Sequence, residues 1–380
     1  MSSFTADAMT STAGSRRVVV ISGATGFLGL ALAAHFQRAG YEVRALARSP
    51  GRAATRHPSF TWYRCSLPEA LDPRALEGAP TALIHCAFET HFRSEASARA
   101  TNVEGSRLLL EAARRAGVGR FVFISSMSAH ERAESIYGRT KLEVERMLDG
   151  GRDLSVRPGL IIGSGGVFLR LATAIAGSRV VPLFYGGRQP IQTIALQDVC
   201  AGILAAVERG CVGTLRLGEE ESVPLRELYR AIAAWAGVRP LFIPFPGGVG
   251  LSWLRVAERL GVRLPLSSEN LLGLKHLEEC EVRQDLARVG LRPRTMRQSL
   301  SDLARPRTPR RPGLTSRLKP TPAEIRELAL RETDPAEWPH FQPITRGPLF
   351  AVLLLAGVGI AAAPSALVRM LRGAGGQHGA

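Results

Sequence analysis

Val18-Val19-Val20-Ile21-Ser22-Gly23-Ala24-Thr25-Gly26-Phe27-Leu28-Gly29 is the stretch that decides the fold of this chain. Val18–Ser22 reads as a continuous run of the kind a parallel strand buried on both faces requires. Phe27–Ala39 carries a helical pattern and is stopped by Gly40. Three glycines lie between the strand and the body of the helix, and each has a use there. Gly23 permits a tight turn, Gly26 lets the backbone approach a pyrophosphate, and Gly29 allows close helix–strand packing. The helix end adds unpaired N–H groups and a partial positive charge, which suit phosphates. Gly23, Thr25, Gly26, Phe27, Leu28 and Gly29 are therefore the expected dinucleotide-binding residues of the turn.

Working outward, short β-branched runs alternate with longer helical ones. Glu42–Ala47, Phe60–Arg64, Ala82–Cys86, Phe121–Ser125 and Leu154–Arg157 read as further strands. Arg99–Ala116, stopped by Gly117, and Ile136–Leu148 read as helices between them. Such alternation implies right-handed crossovers and an α/β, doubly wound parallel sheet of the Rossmann kind. Past Pro158 the sequence is richer in Gly and Pro, as a smaller C-terminal substrate lobe would be. Within it Leu225, Leu228, Tyr229, Ile232 and Trp235 or Ala236 fall at helical spacing and read as core. The expected division is a disordered 1–15 and a nucleotide-binding domain over 16–290, its substrate lobe mainly from 159 onward. A basic, Pro-rich linker over 291–320, a short helix and link over 321–348, an apolar helix over 349–368 and a tail over 369–380 follow.

With 45% apolar and 22% charged residues, the 380-residue chain suits a globular protein with a substantial core. Its five cysteines form no CxxC pair, which argues against a disulfide framework or zinc site and fits a reducing compartment. The histidines do not cluster either: His85 and His91 lack metal-ligand spacing with Cys or carboxylates, so no metal is expected. Half of the +16 charge lies between Arg292 and Lys319, where nine basic residues face only Asp302. Four prolines in that stretch exclude a DNA-reading helix, so nucleic acid is not an expected partner and a connector near a membrane surface is. Met1–Arg17 lacks the apolar core of a secretory signal. Leu349–Val368 holds no charged residue between Arg346 and Arg369, about the length that crosses a bilayer. Pro364 and Ala361–Ala363 weaken that reading, and a partner-packing helix is its alternative. The expected location is cytoplasmic, anchored to the inner face of a membrane by the C-terminus.

Tyr137-Gly138-Arg139-Thr140-Lys141 places a phenol and an ammonium at i and i+4, on one face of a helix. A free tyrosine, with a pKa near 10, is a poor base at neutral pH, and a nearby cation is expected to bring it down. At the end of the second strand, about 20 residues past the glycines, a NAD-selective site carries a carboxylate. Arg48 stands there instead. Its guanidinium suits a 2′-phosphate, so NADP is the expected cofactor in preference to NAD.

The G-x-x-G-x-x-G spacing within Ser22–Gly29, together with Tyr137 and Lys141, closely resembles the extended short-chain dehydrogenase/reductase family. That family includes sugar-nucleotide epimerases, dehydratases and 3β-hydroxysteroid dehydrogenases, and the resemblance covers about Arg16 to Gly290. It implies that Ser126, with Ser128 as fallback, hydrogen-bonds the reacting oxygen, that Tyr137 is the acid or base, and that Lys141 tunes Tyr137 and holds the nicotinamide ribose. It further implies cofactor contacts from Ala87, Asn102, Ser125, Tyr137 and Pro158, with Asn102 also supporting the active-site geometry. Departures are Cys65-Ser66 where the family has an Asp near adenine, and Ile162 where Arg157-Pro158-Gly159-Leu160-Ile161-Ile162-Gly163 has the family's Tyr. The interval from Ser126 to Tyr137 is also shorter than in sugar-nucleotide epimerases. Asp198 matches a position expected to cap a helix.

The expected activity is hydride transfer at a carbinol or ketone carbon of a sugar-nucleotide, sterol-like or lipid-like substrate. The short loop and apolar tail tilt toward the lipid. The expected partners are this small molecule, a membrane met through the C-terminal helix, and a second copy of the chain. The alternative is a non-catalytic nucleotide-binding subunit docked on a membrane complex. Retention of Tyr137 and Lys141 speaks against it.

Overall fold

β1 (Val18–Ser22) enters the glycine turn and leaves it as α1 (Phe27–Arg38), because its residues are apolar on both faces and have nowhere to go but between two helical layers. The computed structural model describes residues 17–303, apart from 91, 93 and 260–266. The N-terminus, His91, most of the basic linker, the helix expected from 321 and the apolar segment 349–368 lie outside those residues. Among the described residues no helix is long and apolar enough to cross a membrane.

The chain continues through β2 (Glu42–Ala47), α2 (Pro50–Arg56), β3 (Thr61–Ser66), a short return strand β4 (Ala70–Leu71) and β5 (Ala82–His85). After β5, α3 (Glu95–Ala98) widens to π geometry over Arg99–Glu104 and runs on as α4 (Gly105–Arg115). The helix expected at Arg99–Ala116 therefore exists but is part of a longer one, loosened where Asn102 sits. β6 (Phe121–Ile124), α5 (Ile136–Glu145) and β7 (Leu154–Pro158) follow. Beyond Pro158 come β8 (Leu160–Ile162), α6 (Gly166–Gly177), β9 (Val180–Phe184), β10 (Pro190–Ile191), β11 (Thr193–Ala195), α7 (Leu196–Glu208) and β12 (Gly213–Leu217). The last elements are β13 (Val223–Pro224), α8 (Leu225–Trp235), β14 (Leu241–Phe245), α9 (Gly247–Arg259), α10 (Ser268–Lys275), α11 (Arg283–Val289) and α12 (Met296–Ser301).

The main sheet has eight strands in the order β12-β7-β6-β5-β1-β2-β3-β4. Neighbours are parallel except β3 and β4. Side-chain alternation splits its core in two. Val19 and Ile21 face Leu32, Phe36, Val199 and Ile203, whereas Val20 faces Leu83, Leu109 and Phe123 on the other side. Each such fully buried side chain contributes about 1.5–3 kcal/mol relative to exposure.

The substrate lobe does not start cleanly at 159. β12 returns to pair with β7, Leu215 opposite Val156, and α7 packs on α1. The physical reason is the open edge of β7, whose backbone groups need a partner, and the apolar face of α7 (Val199, Ile203, Ala206, Val207), which covers the sheet. What remains of the second half forms a smaller lobe with its own core of Phe168, Ile175, Leu228, Ile232 and Leu300. Asp198 also differs from expectation. Ala195 is the N-cap of α7, and Asp198 in its first turn accepts the Arg294 backbone N–H and guanidinium, both at 2.7 Å. It tethers the segment between α11 and α12 instead of capping α7.

Candidate active site

The glycines of the turn are fixed by contact. Gly23 has φ +65°, and a Cβ there would lie 2.7 Å from the Ala87 backbone nitrogen. A Cβ on Gly29 would lie 2.2 Å from the Gly23 carbonyl oxygen, so the helix rests directly on the turn. Gly26 is the N-cap of α1; no side chain caps it and the first turn holds no acidic residue. The orphan N–H groups of that turn are thus left to an outside acceptor. Leu28 packs its side chain against the core. The Phe27 ring lies under Gly163, Gly165 and Gly166, where a Cβ would approach it to 2.6, 2.4 and 2.9 Å. What Phe27 and Leu28 can offer a phosphate is their backbone, while the Phe27 ring pins the small lobe to the turn. Arg48 is exposed immediately after β2.

A buried polar chain runs from this turn to the π-helical segment. Ser22 Oγ meets His85 Nδ1 at 2.6 Å, and His85 Nε2 meets Ser106 Oγ at 2.8 Å. Ser22 Oγ also accepts the Ala87 N–H at 3.3 Å. Burial, with Lys141 nearby, pushes the His85 imidazole down to about 3, so it is neutral in the folded protein. One turn before Ser106, Asn102 is buried, accepting the Glu89 N–H at 2.7 Å and donating to the Glu89 carbonyl at 2.9 Å. It holds the segment that follows β5, which carries Ala87 and Phe88.

β6 and α5 bring the three expected catalytic side chains together. Ser126 Oγ accepts the Ser128 N–H at 3.1 Å, just past the end of β6. Lys141 is buried; its Nζ donates to the Ile124 carbonyl at 2.5 Å and stands 3.7 Å from the Phe88 ring centre and 4.6 Å from that of Phe123. The Tyr137 ring centre is farther, at 5.6 Å, and Phe88 meets that ring edge-on. This arrangement corrects the electrostatic expectation. Burial wins on both groups, pushing the phenol up to about 12 and the ammonium down to about 7. The lysine is directed at a carbonyl and two rings, so it does not bring the phenol toward neutrality.

Next to Ser126, Ser125 is 2% exposed and its Oγ has no hydrogen-bond partner. Pro158 ends β7, and its carbonyl accepts the Met127 N–H at 3.2 Å. Ser66 does not replace the family's Asp by any longer-range contact; its hydroxyl donates to Glu69 at 3.2 Å. Ile162 is packed in the core of the small lobe.

The sequence pattern described as the NAD dependent epimerase/dehydratase family matches residues 19–215, more than half of the chain. The chain belongs to this family. It is 31% identical over 247 residues to the ceramide reductase of Caulobacter vibrioides, covering 61% of this chain and 74% of that protein. To the 3 beta-hydroxysteroid dehydrogenase/Delta 5-->4-isomerase of Mycobacterium tuberculosis it is 26% identical over 291 residues, 65% of this chain and 78% of the relative. The solved structure of MoeE5 in complex with UDP-glucose and NAD shares the fold at TM-score 0.56 and 21% identity, covering 74% of this chain and 96% of that one. As a member of the NAD dependent epimerase/dehydratase family this chain is an enzyme of the short-chain dehydrogenase/reductase type, and its cofactor is a nicotinamide dinucleotide.

The site fits that cofactor on its own geometry. The turn admits no Cβ at Gly23 or Gly29, the first turn of α1 lacks a side-chain cap, and the buried Ser125 hydroxyl lacks a partner. Phe88 and the Ile124 carbonyl, which hold Lys141, were not singled out in the sequence. An aromatic residue after Ala87 carries no signal of its own until the fold stacks it on α5.

Proposed function

We propose that this enzyme is an NADP-dependent reductase of a lipid-like ketone, with Ser126, Tyr137 and Lys141 as its catalytic residues. The observation that carries the reading is the buried Lys141, held by the Ile124 carbonyl at the end of β6 that leads to Ser126, with its Nζ 5.6 Å from the Tyr137 ring centre. The glycine turn with the N-terminus of α1, Ala87, Ser125, Pro158 and Lys141 would hold the cofactor, and Arg48 would receive a 2′-phosphate. A bound nicotinamide supplies the hydride that a carbonyl carbon accepts. The chain's own part is proton and position. With its pKa pushed up to about 12, Tyr137 is a neutral phenol at physiological pH, the form that donates a proton to a carbonyl oxygen gaining charge. Ser126 offers that oxygen a second donor, and Lys141, held by the Ile124 carbonyl, ties the α5 face that carries Tyr137 to the end of β6.

For the substrate class, support comes from two relatives, a ceramide reductase and a 3 beta-hydroxysteroid dehydrogenase, whose names both point to lipids. The short Ser126–Tyr137 interval and the charge-free segment Leu349–Val368 agree with a substrate delivered from a membrane on its cytoplasmic side.

The test is turnover of a keto-ceramide with NADPH by the full chain and by Tyr137→Phe. The variant is expected to lose roughly a hundredfold to ten-thousandfold in kcat while still binding NADPH. Equal turnover by both proteins overturns the catalytic assignment. Equal thermal stabilisation by NADPH and NADH overturns the role given to Arg48.

A further inference from the structure

The helix that presents Tyr137 begins with backbone donors that must be satisfied from outside it. Ser135 caps α5 and its Oγ accepts the Gly138 N–H at 3.1 Å. The first donor of the helix is taken by a residue of the small lobe. The Glu269 carboxylate, on the first turn of α10, accepts the Ile136 N–H at 2.7 Å, next to Tyr137 itself. These residues stand 133 positions apart in the chain.

Glu269 is itself anchored. Ser267 and Asn270 close a reciprocal cap at the start of α10, and Ser268 donates its N–H and its hydroxyl to Glu258 of α9, both at 2.7 Å. Toward its other end, Lys275 and His276 bind Glu134 at 2.5 and 2.7 Å, and Glu278 pairs with Arg132. The α10 region therefore lies along 132–137, the end of the loop that runs from Ser126 to Tyr137. Because the carboxylate touches the backbone of α5 and not the phenol, its effect on chemistry can only pass through Tyr137.

We propose that Glu269 is a positioning residue: from the small lobe it fixes the first turn of α5 and thereby the place of the Tyr137 phenol relative to Ser126. The proposal rests on the catalytic assignment of Tyr137 made above. A displacement on the order of 1 Å of a reacting group costs up to about a hundredfold in rate. Cofactor affinity depends less on this first turn, since most of the residues assigned to the cofactor lie on other elements and Lys141 is held separately by the Ile124 carbonyl.

The experiment compares Glu269→Ala, Glu269→Gln and the unaltered full chain by two readouts. With keto-ceramide and NADPH, the alanine variant is expected to lose about tenfold to a hundredfold in kcat, with NADPH affinity within about twofold. The glutamine variant, whose amide oxygen still accepts from the helix, recovers most of the rate. Isotope-labelled tyrosine NMR, in a chain with five tyrosines, follows the Tyr137 ring without any turnover and should move in the alanine variant only. A Tyr137 signal and kcat both unchanged in Glu269→Ala overturn the proposal. So does a rate loss that merely tracks the fraction of unfolded protein. If the unaltered chain turns over no keto-ceramide, the function reading fails alone, and the Tyr137 signal still decides the role of Glu269.

Discussion

Replacing Lys141 with Met should change how the stability of this protein depends on pH, and the sign follows from burial. The ammonium falls from the 10.5 of a free lysine to about 7 in the folded chain, burial being the largest cause. Between these values the unfolded chain binds more protons than the folded one, so stability rises with pH. The penalty for burying the charge is present in full below about pH 7 and is relieved as the lysine gives up its proton. From about pH 7 to about pH 8.5 the relief is roughly 2 kcal/mol, from about 1.4 kcal/mol per pH unit weighted by the fraction of the folded-state lysine that has lost its proton.

Higher pH is less useful, because the Cys65 thiol, pushed up to about 11, and those of Cys86 and Cys200, pushed up to about 12, enter with the opposite sign. They retain protons in the folded state that the unfolded state loses above about pH 9. Lys141→Met also strips the Ile124 carbonyl of its donor, a cost of about 1–3 kcal/mol that does not vary with pH. Only the slope is therefore diagnostic. Urea unfolding of both proteins across this window should show the wild type gaining about 2 kcal/mol on the variant as pH rises. Parallel curves would mean that the lysine is solvated in the folded state, which would refute the burial argument and the neutral-leaning ammonium derived from it.

Two other substitutions test separate parts of the structure. A Cβ in Gly29→Ala would lie 2.2 Å from the Gly23 carbonyl oxygen, so the start of α1 must shift by about 1 Å. A loss of about 1–3 kcal/mol in denaturant unfolding and a marked loss of NADPH binding should follow; a variant that binds as before shows that the turn yields. Truncation after 348 should move the protein from the membrane to the soluble fraction of a cell lysate. A full chain already found in the soluble fraction removes the proposed anchor.

Much of the nucleotide-binding half is legible in the sequence, because its information is local. Val18–Gly29 contains a buried strand, a turn that only glycine can make and a helix start within one short stretch. Tyr137 and Lys141 share a face at any helical i, i+4 spacing, and the apolar run of β6 ends at Ile124, two residues before Ser126. Chain order alone, however, gave a substrate lobe beginning at 159. Only the tertiary structure sends β12 back to the edge of β7 and turns Asp198 into a tether for Arg294. Sequence also proposed that Lys141 lowers the Tyr137 pKa. That depended on where Nζ points and how much water it keeps, and the fold turned it to the Ile124 carbonyl between Phe88 and Phe123. Glu269 is the extreme case. No spacing rule links it to Ile136, since a contact across 133 residues is set by how two lobes pack. Sequence alone settled the tight glycine turn between β1 and α1 and the residue types beside it, which follow from local backbone sterics and helix periodicity. Their protonation states and supports were decided by burial and long-range contact, which exist only once the chain has folded.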